Sequence, residues 1–153
     1  MTQPAPVRRL EVLLAEDNEF DVHVTMVAFR DATVPNRVHC VPDGEAALAF
    51  LKRTGEHSQA PRPDLILLDL NLPKMNGLEV LEEIKADPNL KNIPVVMVSG
   101  DIHEGDVRRA YDLQVSAFLM KPVEVDEYFA AIRSLKELWF HAASPAPNPD
   151  STV

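Results

Sequence analysis

Five short apolar runs, separated by longer stretches of helical periodicity, constrain this chain more than any other feature of its sequence. The runs are LEVLLA (10–15), RVHCV (37–41), DLILLDL (64–70), IPVVMVS (93–99) and SAFLMK (116–121). Between and after them, residues 18–31, 45–54, 78–87, 104–113 and 125–141 carry apolar side chains at three- and four-residue spacing, as Val24, Val27 and Ala28 do in the first. That spacing is one face of an α-helix, while a short continuous apolar run bounded by turn residues is a strand buried on both faces. Parallel strands need helical crossovers, so a strand–helix unit used five times predicts a doubly wound α/β sheet. Five strands favour the flavodoxin-like order 2-1-3-4-5. RVHCV alternates in polarity and is expected at a sheet edge; the other four are candidates for more buried positions.

The chain has 153 residues, 46% of them hydrophobic and 25% charged, which fits one globular domain, expected over 10–141. An N-terminal arm (1–9) and a proline-rich tail (142–153) expected to be disordered flank it. A formal net charge of −9 disfavours nucleic-acid phosphates or anionic membrane surfaces as partners, and suits basic proteins or divalent cations. Cys40 is the only cysteine and sits in an apolar-rich run, so it is read as a reduced core thiol. No segment resembles a signal peptide or a membrane span, and a cytoplasmic location is expected.

DLILLDLNLPKMNG raises the functional question, because a run of large aliphatics ends in an acid, Asp69. In a parallel sheet every strand C-terminus lies on one edge, and ligands bind outside that edge. There the first strand ends in Glu16-Asp17, the third in Asp69, the fourth in Ser99 and the fifth in Lys121. Carboxylates brought together repel unless a cation intervenes, and an oxygen-only donor set suits Mg²⁺. An aspartate beside a metal and a lysine can serve as nucleophile toward phosphorus, with catalysis supplied by positioning and charge neutralisation.

Glu16-Asp17, Asp69, Ser99 and Lys121-Pro122, in this order and spacing, resemble the receiver domain of bacterial two-component response regulators. The resemblance implies phosphoryl transfer to Asp69 from a phosphohistidine on a sensor histidine kinase. It implies direct Mg²⁺ ligation by Asp17, Asp69 and the backbone carbonyl of Asn71, with Glu16 acting through water. It further implies a cis peptide bond before Pro122, contact of Lys121 with the phosphoryl group, and a switch pair formed by Ser99 and Phe118. AEDNEFD, the polar stretch 55–63 and the absence of an output segment resemble the single-domain regulators paired with bacteriophytochromes, the red-light sensor kinases. Gly100 stands where that family usually has a larger residue, which leaves the phosphate more open, and Ser99 stands where threonine is commoner.

Other readings remain beside this one. Asp17 could be only the N-cap of the first helix, and Ser99 or Asp101 the cap of the fourth. Phe118 could be a core residue. A haloacid-dehalogenase-like phosphotransferase would also use a strand-end aspartate, but needs a second aspartate two residues on, where Asn71 stands. A phosphate sink or relay, or a protein-binding module that is never phosphorylated, also remains open. The five histidines show no ligand spacing that would hold zinc. In the last helix the consecutive Leu138, Trp139 and Phe140 span about 200° of arc, more than one sheet face can hide, and predict a homodimer or partner surface.

Overall fold

The computed structural model describes residues 9–30, 35–124, 126, 127 and 130. Five parallel strands, β1 (Leu10–Ala15), β2 (Asn36–Val41), β3 (Leu65–Asp69), β4 (Val95–Ser99) and β5 (Ala117–Met120), form one sheet in the order β2-β1-β3-β4-β5. Four helices connect them: α1 (Glu19–Arg30), α2 (Gly44–Lys52), α3 (Gly77–Ala86) and α4 (Glu104–Asp112). This is the doubly wound order expected from the alternation of apolar runs and helical patterns. The fifth predicted helix (125–141), with Leu138, Trp139 and Phe140, lies outside the described residues, apart from isolated positions near its start. So do residues 1–8 of the arm and the whole tail (142–153).

Three of the four helices, α1, α2 and α3, start where a short polar side chain can accept an N–H that the helix leaves unpaired. Asn18 Oδ1 accepts from Asp21 N at 3.0 Å, Asp43 Oδ1 from Ala46 N at 2.7 Å, and Asn76 Oδ1 from Glu79 N at 3.0 Å. α3 ends at Ala86, two residues before Pro88, whose ring disfavours helical geometry in the residue preceding it.

The helices bury one stripe each. Ala47, Phe50 and Leu51 of α2, Val80, Leu81 and Ile84 of α3, and Ala110 of α4 pack with Leu13, Ile66, Leu68 and Met97 on one face of the sheet. Ala28 and Phe29 of α1 pack with Val12, Leu14, Leu67, Val96 and Val98 on the other. All five residues of β3 and all five of β4 are buried, because central strands are covered from both sides. Each large aliphatic so buried contributes about 1.5–3 kcal/mol, which fixes the register against a slip.

Two sequence expectations need correction. β5 is not among the buried strands: Ala117, Phe118 and Leu119 are half-buried and Met120 is 60% exposed, since among the described residues β5 pairs only with β4 and forms the second sheet edge. Cys40 is exposed and not a core thiol. It lies near the end of edge strand β2, where only the next residue, Val41, turns into the core.

Candidate functional site

Strand register brings the predicted residues together. Ala15 pairs with Leu68 and Asp69 with Val98, so Glu16 and Asp69 emerge side by side at the C-terminal edge of the sheet. Ser99 pairs with Met120, which places Lys121 just past the neighbouring strand end. Gly77 holds the following loop close. Its N–H donates to the Leu70 carbonyl at 2.8 Å, and a Cβ there would collide with the Asp69 carbonyl and the Leu70 Cα. The loop between carries Lys74 at φ 67°, with the Met75 N–H donating back to the Pro73 carbonyl at 2.7 Å in a three-residue turn.

Carboxylate oxygens of Glu16, Asp17 and Asp69 lie within 4.8 Å of one another. Glu16 and Asp69 are buried, at 3% and 4% exposure, and Asp17 is exposed. Lys121 Nζ donates to Glu16 Oε2 at 2.7 Å, to Asp21 Oδ2 at 2.9 Å and to Asp69 Oδ2 at 3.1 Å. The other Asp69 oxygen, Oδ1, accepts the Asn71 N–H at 3.0 Å. Three carboxylates thus share a single ammonium, and burial and charge together leave their mark on the titration of the group. Burial pushes Glu16 up to about 7 against the opposing hydrogen bond from Lys121, and the charge of Asp69 adds to the rise. Burial alone would lower the pKa of Lys121, but its hydrogen bonds to Glu16 and Asp21 and the charges of Asp69 and Glu16 outweigh that and hold it well above the usual lysine value.

The capping alternatives fail. α1 is capped by Asn18 and not by Asp17, while α4 begins after His103 with no side-chain cap from Ser99 or Asp101. Ser99 is fully buried, and its hydroxyl donates to the Asp101 carbonyl at 2.9 Å. Phe118 is half-buried against the cluster that holds Leu68 and Met97. Gly100 is exposed, and a Cβ there would meet only the Lys121 Cβ at 3.7 Å, so the backbone does not demand glycine. The Lys121–Pro122 peptide bond is cis. Asp21 was not anticipated from the sequence. Its signal was the acid-rich stretch EDNEFD, in which Asp21 sits in the first turn of α1.

Residues 12–133 match the family model described as the response regulator receiver domain. This chain belongs to that family. As a receiver it is a signalling module, and several single-domain relatives resemble it over most of their length. Response regulator Rcp1 of Synechocystis sp. is 39% identical over 133 residues, covering 87% of this chain and 90% of Rcp1. The phosphorylated cyanobacterial phytochrome response regulator RcpA superposes with a TM-score of 0.77 at 44% identity, covering 90% of this chain and 98% of RcpA. The bacteriophytochrome response regulator AtBRR does so with a TM-score of 0.74 at 41% identity, covering 84% of this chain and 94% of AtBRR. Among the described residues no helix of the receiver is long and apolar enough to cross a membrane.

Proposed function

We propose that this receiver accepts a phosphoryl group on Asp69 from a sensor histidine kinase of the bacteriophytochrome class and signals through the resulting change at its surface. The observation that carries the proposal is the ammonium of Lys121 at 3.1 Å from the Asp69 carboxylate, beside an oxygen cluster formed with Glu16 and Asp17. Hard carboxylate oxygens at this spacing fit Mg²⁺, which Asp17, Asp69 and the Asn71 carbonyl would hold directly and Glu16 through water. When bound, the ion neutralises charge on the transferring oxygens. Asp69 attacks phosphorus, and the bond from phosphorus to the donor imidazole nitrogen breaks. The electron pair stays on that nitrogen, which takes a proton from solvent. Lys121 then donates to a phosphoryl oxygen, and Ser99 re-aims its hydroxyl from the Asp101 carbonyl to another as Phe118 turns inward.

The similarity to RcpA and AtBRR supports a phytochrome-type kinase. A mostly apolar hollow of about 340 Å³ beside the site, lined by Phe20, Val24, Pro122 and Val123 with the charged Asp21, Lys121 and Glu124, and with Phe20 itself 70% exposed, fits a protein phosphodonor of any class. A protein donor would cover that surface; a small phosphodonor would not. Tyr111 on α4 and Met120 on β5 are 51% and 60% exposed, and this apolar surface supports a homodimer through that face. Light scattering before and after phosphorylation tests that part, and a monomer in both states overturns it.

The deciding experiment is incubation with acetyl phosphate and Mg²⁺ followed by intact-mass spectrometry. One phosphoryl adduct is expected on the wild-type chain and none on Asp69→Asn. A folded wild-type protein that takes no adduct, or an Asn variant that does, overturns the proposal. Phosphotransfer from a purified phytochrome kinase, compared with transfer from an unrelated histidine kinase, tests the partner.

A further inference from the structure

Lys121 has three N–H groups and no acceptor, and the three go to three different carboxylates, those of Glu16, Asp21 and Asp69. Two of these acids belong to the cluster that fits a cation; Asp21 does not. Its backbone is pinned from both sides. The Asp21 N–H is held by the Asn18 carboxamide at 3.0 Å, and its carbonyl accepts the Thr25 hydroxyl at 2.8 Å. The Asn18 N–H, which a residue at the Asp21 position can reach back to cap, is instead taken by Glu16 Oε1 at 3.2 Å. The Asp21 carboxylate is therefore aimed across α1 at the lysine and not at its own helix end.

From this geometry, and resting on the phosphoacceptor reading of the site, we infer that Asp21 is a positioning residue that holds the Lys121 ammonium over Asp69 while its other partners change. A bound cation would draw electron density from Glu16 and Asp69 and weaken both as acceptors, and a phosphoryl oxygen would take over the N–H now on Asp69. The bond to Asp21 is the one contact of the three that neither event touches. Without it a four-carbon side chain must be reordered at the moment of transfer, and small misplacements of a group that stabilises transferring charge reduce rate steeply. What Asp21 supplies is an acceptor oxygen at a fixed place, so an amide oxygen serves in its stead.

The test compares wild type with Asp21→Ala and Asp21→Asn. Alanine is the best helix former and leaves α1 intact. The first measurement, on magnesium-free protein, is the nitrogen-15 resonance of the Lys121 ammonium. Slow hydrogen exchange is expected in wild type and the Asn variant, and loss of the signal to exchange in the Ala variant. The second is the rate of acylphosphate formation from acetyl phosphate at saturating Mg²⁺. It is expected to fall about fivefold or more in Asp21→Ala and to stay within about twofold in Asp21→Asn. An Ala variant with wild-type exchange and wild-type rate overturns the inference, and so does an equal loss of rate in both variants, which would point to charge. If the wild-type chain takes no phosphoryl group, the phosphoacceptor reading fails, and the ammonium resonance alone decides whether Asp21 holds Lys121.

Discussion

Asn71 donates from Nδ2 to the Ser99 hydroxyl oxygen across 3.3 Å, joining the loop after β3 to the end of β4. The same oxygen accepts the Asp101 N–H at 3.2 Å while its proton goes to the Asp101 carbonyl. The hydroxyl is thus held away from Asp69, and moving it toward a phosphoryl group means exchanging the Asp101 carbonyl for a phosphoryl oxygen. Replacing Ser99 by alanine removes the shared partner of two donors and a carbonyl on Asn71 and Asp101, residues exposed enough to turn to water. Ser99→Ala is expected to lower stability by about 0.5–1.5 kcal/mol in urea unfolding, and to form less acylphosphate at steady state.

Asp17 is exposed and leaves the capping of α1 to Asn18, so its carboxylate can serve a cation. Asp17→Asn is expected to weaken Mg²⁺ binding by roughly tenfold or more, read by calorimetric titration, because a direct ligand matters at least as much as its supporting shell. Unchanged affinity would put the ion elsewhere.

The buried Glu16 makes the metal-free fold sensitive to pH. Its folded pKa is raised from 4.5 to about 7, so between those values the folded state binds more protons than the unfolded chain. Its contribution to stability is fully present below the lower value and is lost as pH rises through the upper one. Melting curves in chelator taken across that window are expected to shift downward with rising pH. Glu16→Gln should flatten the trend.

Gly77 is required by contact and not by backbone angle, since an added Cβ would strike main-chain atoms of Asp69 and Leu70 that have no freedom to swing away. Gly77→Ala is expected to destabilise the fold by about 1–3 kcal/mol in chemical denaturation, and to displace the Asp69 loop enough to slow acylphosphate formation.

Cys40 is expected to react stoichiometrically with maleimide in the native protein, with helix content unchanged by circular dichroism. Its sulfur sits 3.9 Å from the Glu16 carbonyl oxygen. Partial burial and the charge of Glu16 push the thiol pKa up, so the reaction should be slower than that of an unstructured peptide thiol.

The sheet was legible because parallel strands buried on both faces leave continuous apolar runs, and one such run, LILLD, ends in the acid that matters. That same topology put Glu16, Asp69, Ser99 and Lys121 on one edge without any knowledge of side-chain contacts. What stayed hidden depends on how elements dock. Whether Asp21 faces solvent or Lys121 is set by the angle at which α1 lies on the sheet, and periodicity says nothing about that. The cap of α1 fell to Asn18 because Glu16 and Asp17 are still leaving the strand when the helix begins. Cys40 and β5 were misjudged for a common reason: apolar content reports on burial only where a strand has neighbours on both sides.

Lys121 is separated by 105 residues from Glu16, by 100 from Asp21 and by 52 from Asp69. All the acids are therefore synthesised before the one cation that balances them. While the chain is growing on the ribosome, an N-terminal portion that has begun to fold holds mutually repelling carboxylates with no lysine to offset them. On the proposed reading, ability to receive a phosphoryl group consequently arrives late in the birth of the molecule, and a prematurely released fragment lacking Lys121 is expected to take none even with Asp69 in place.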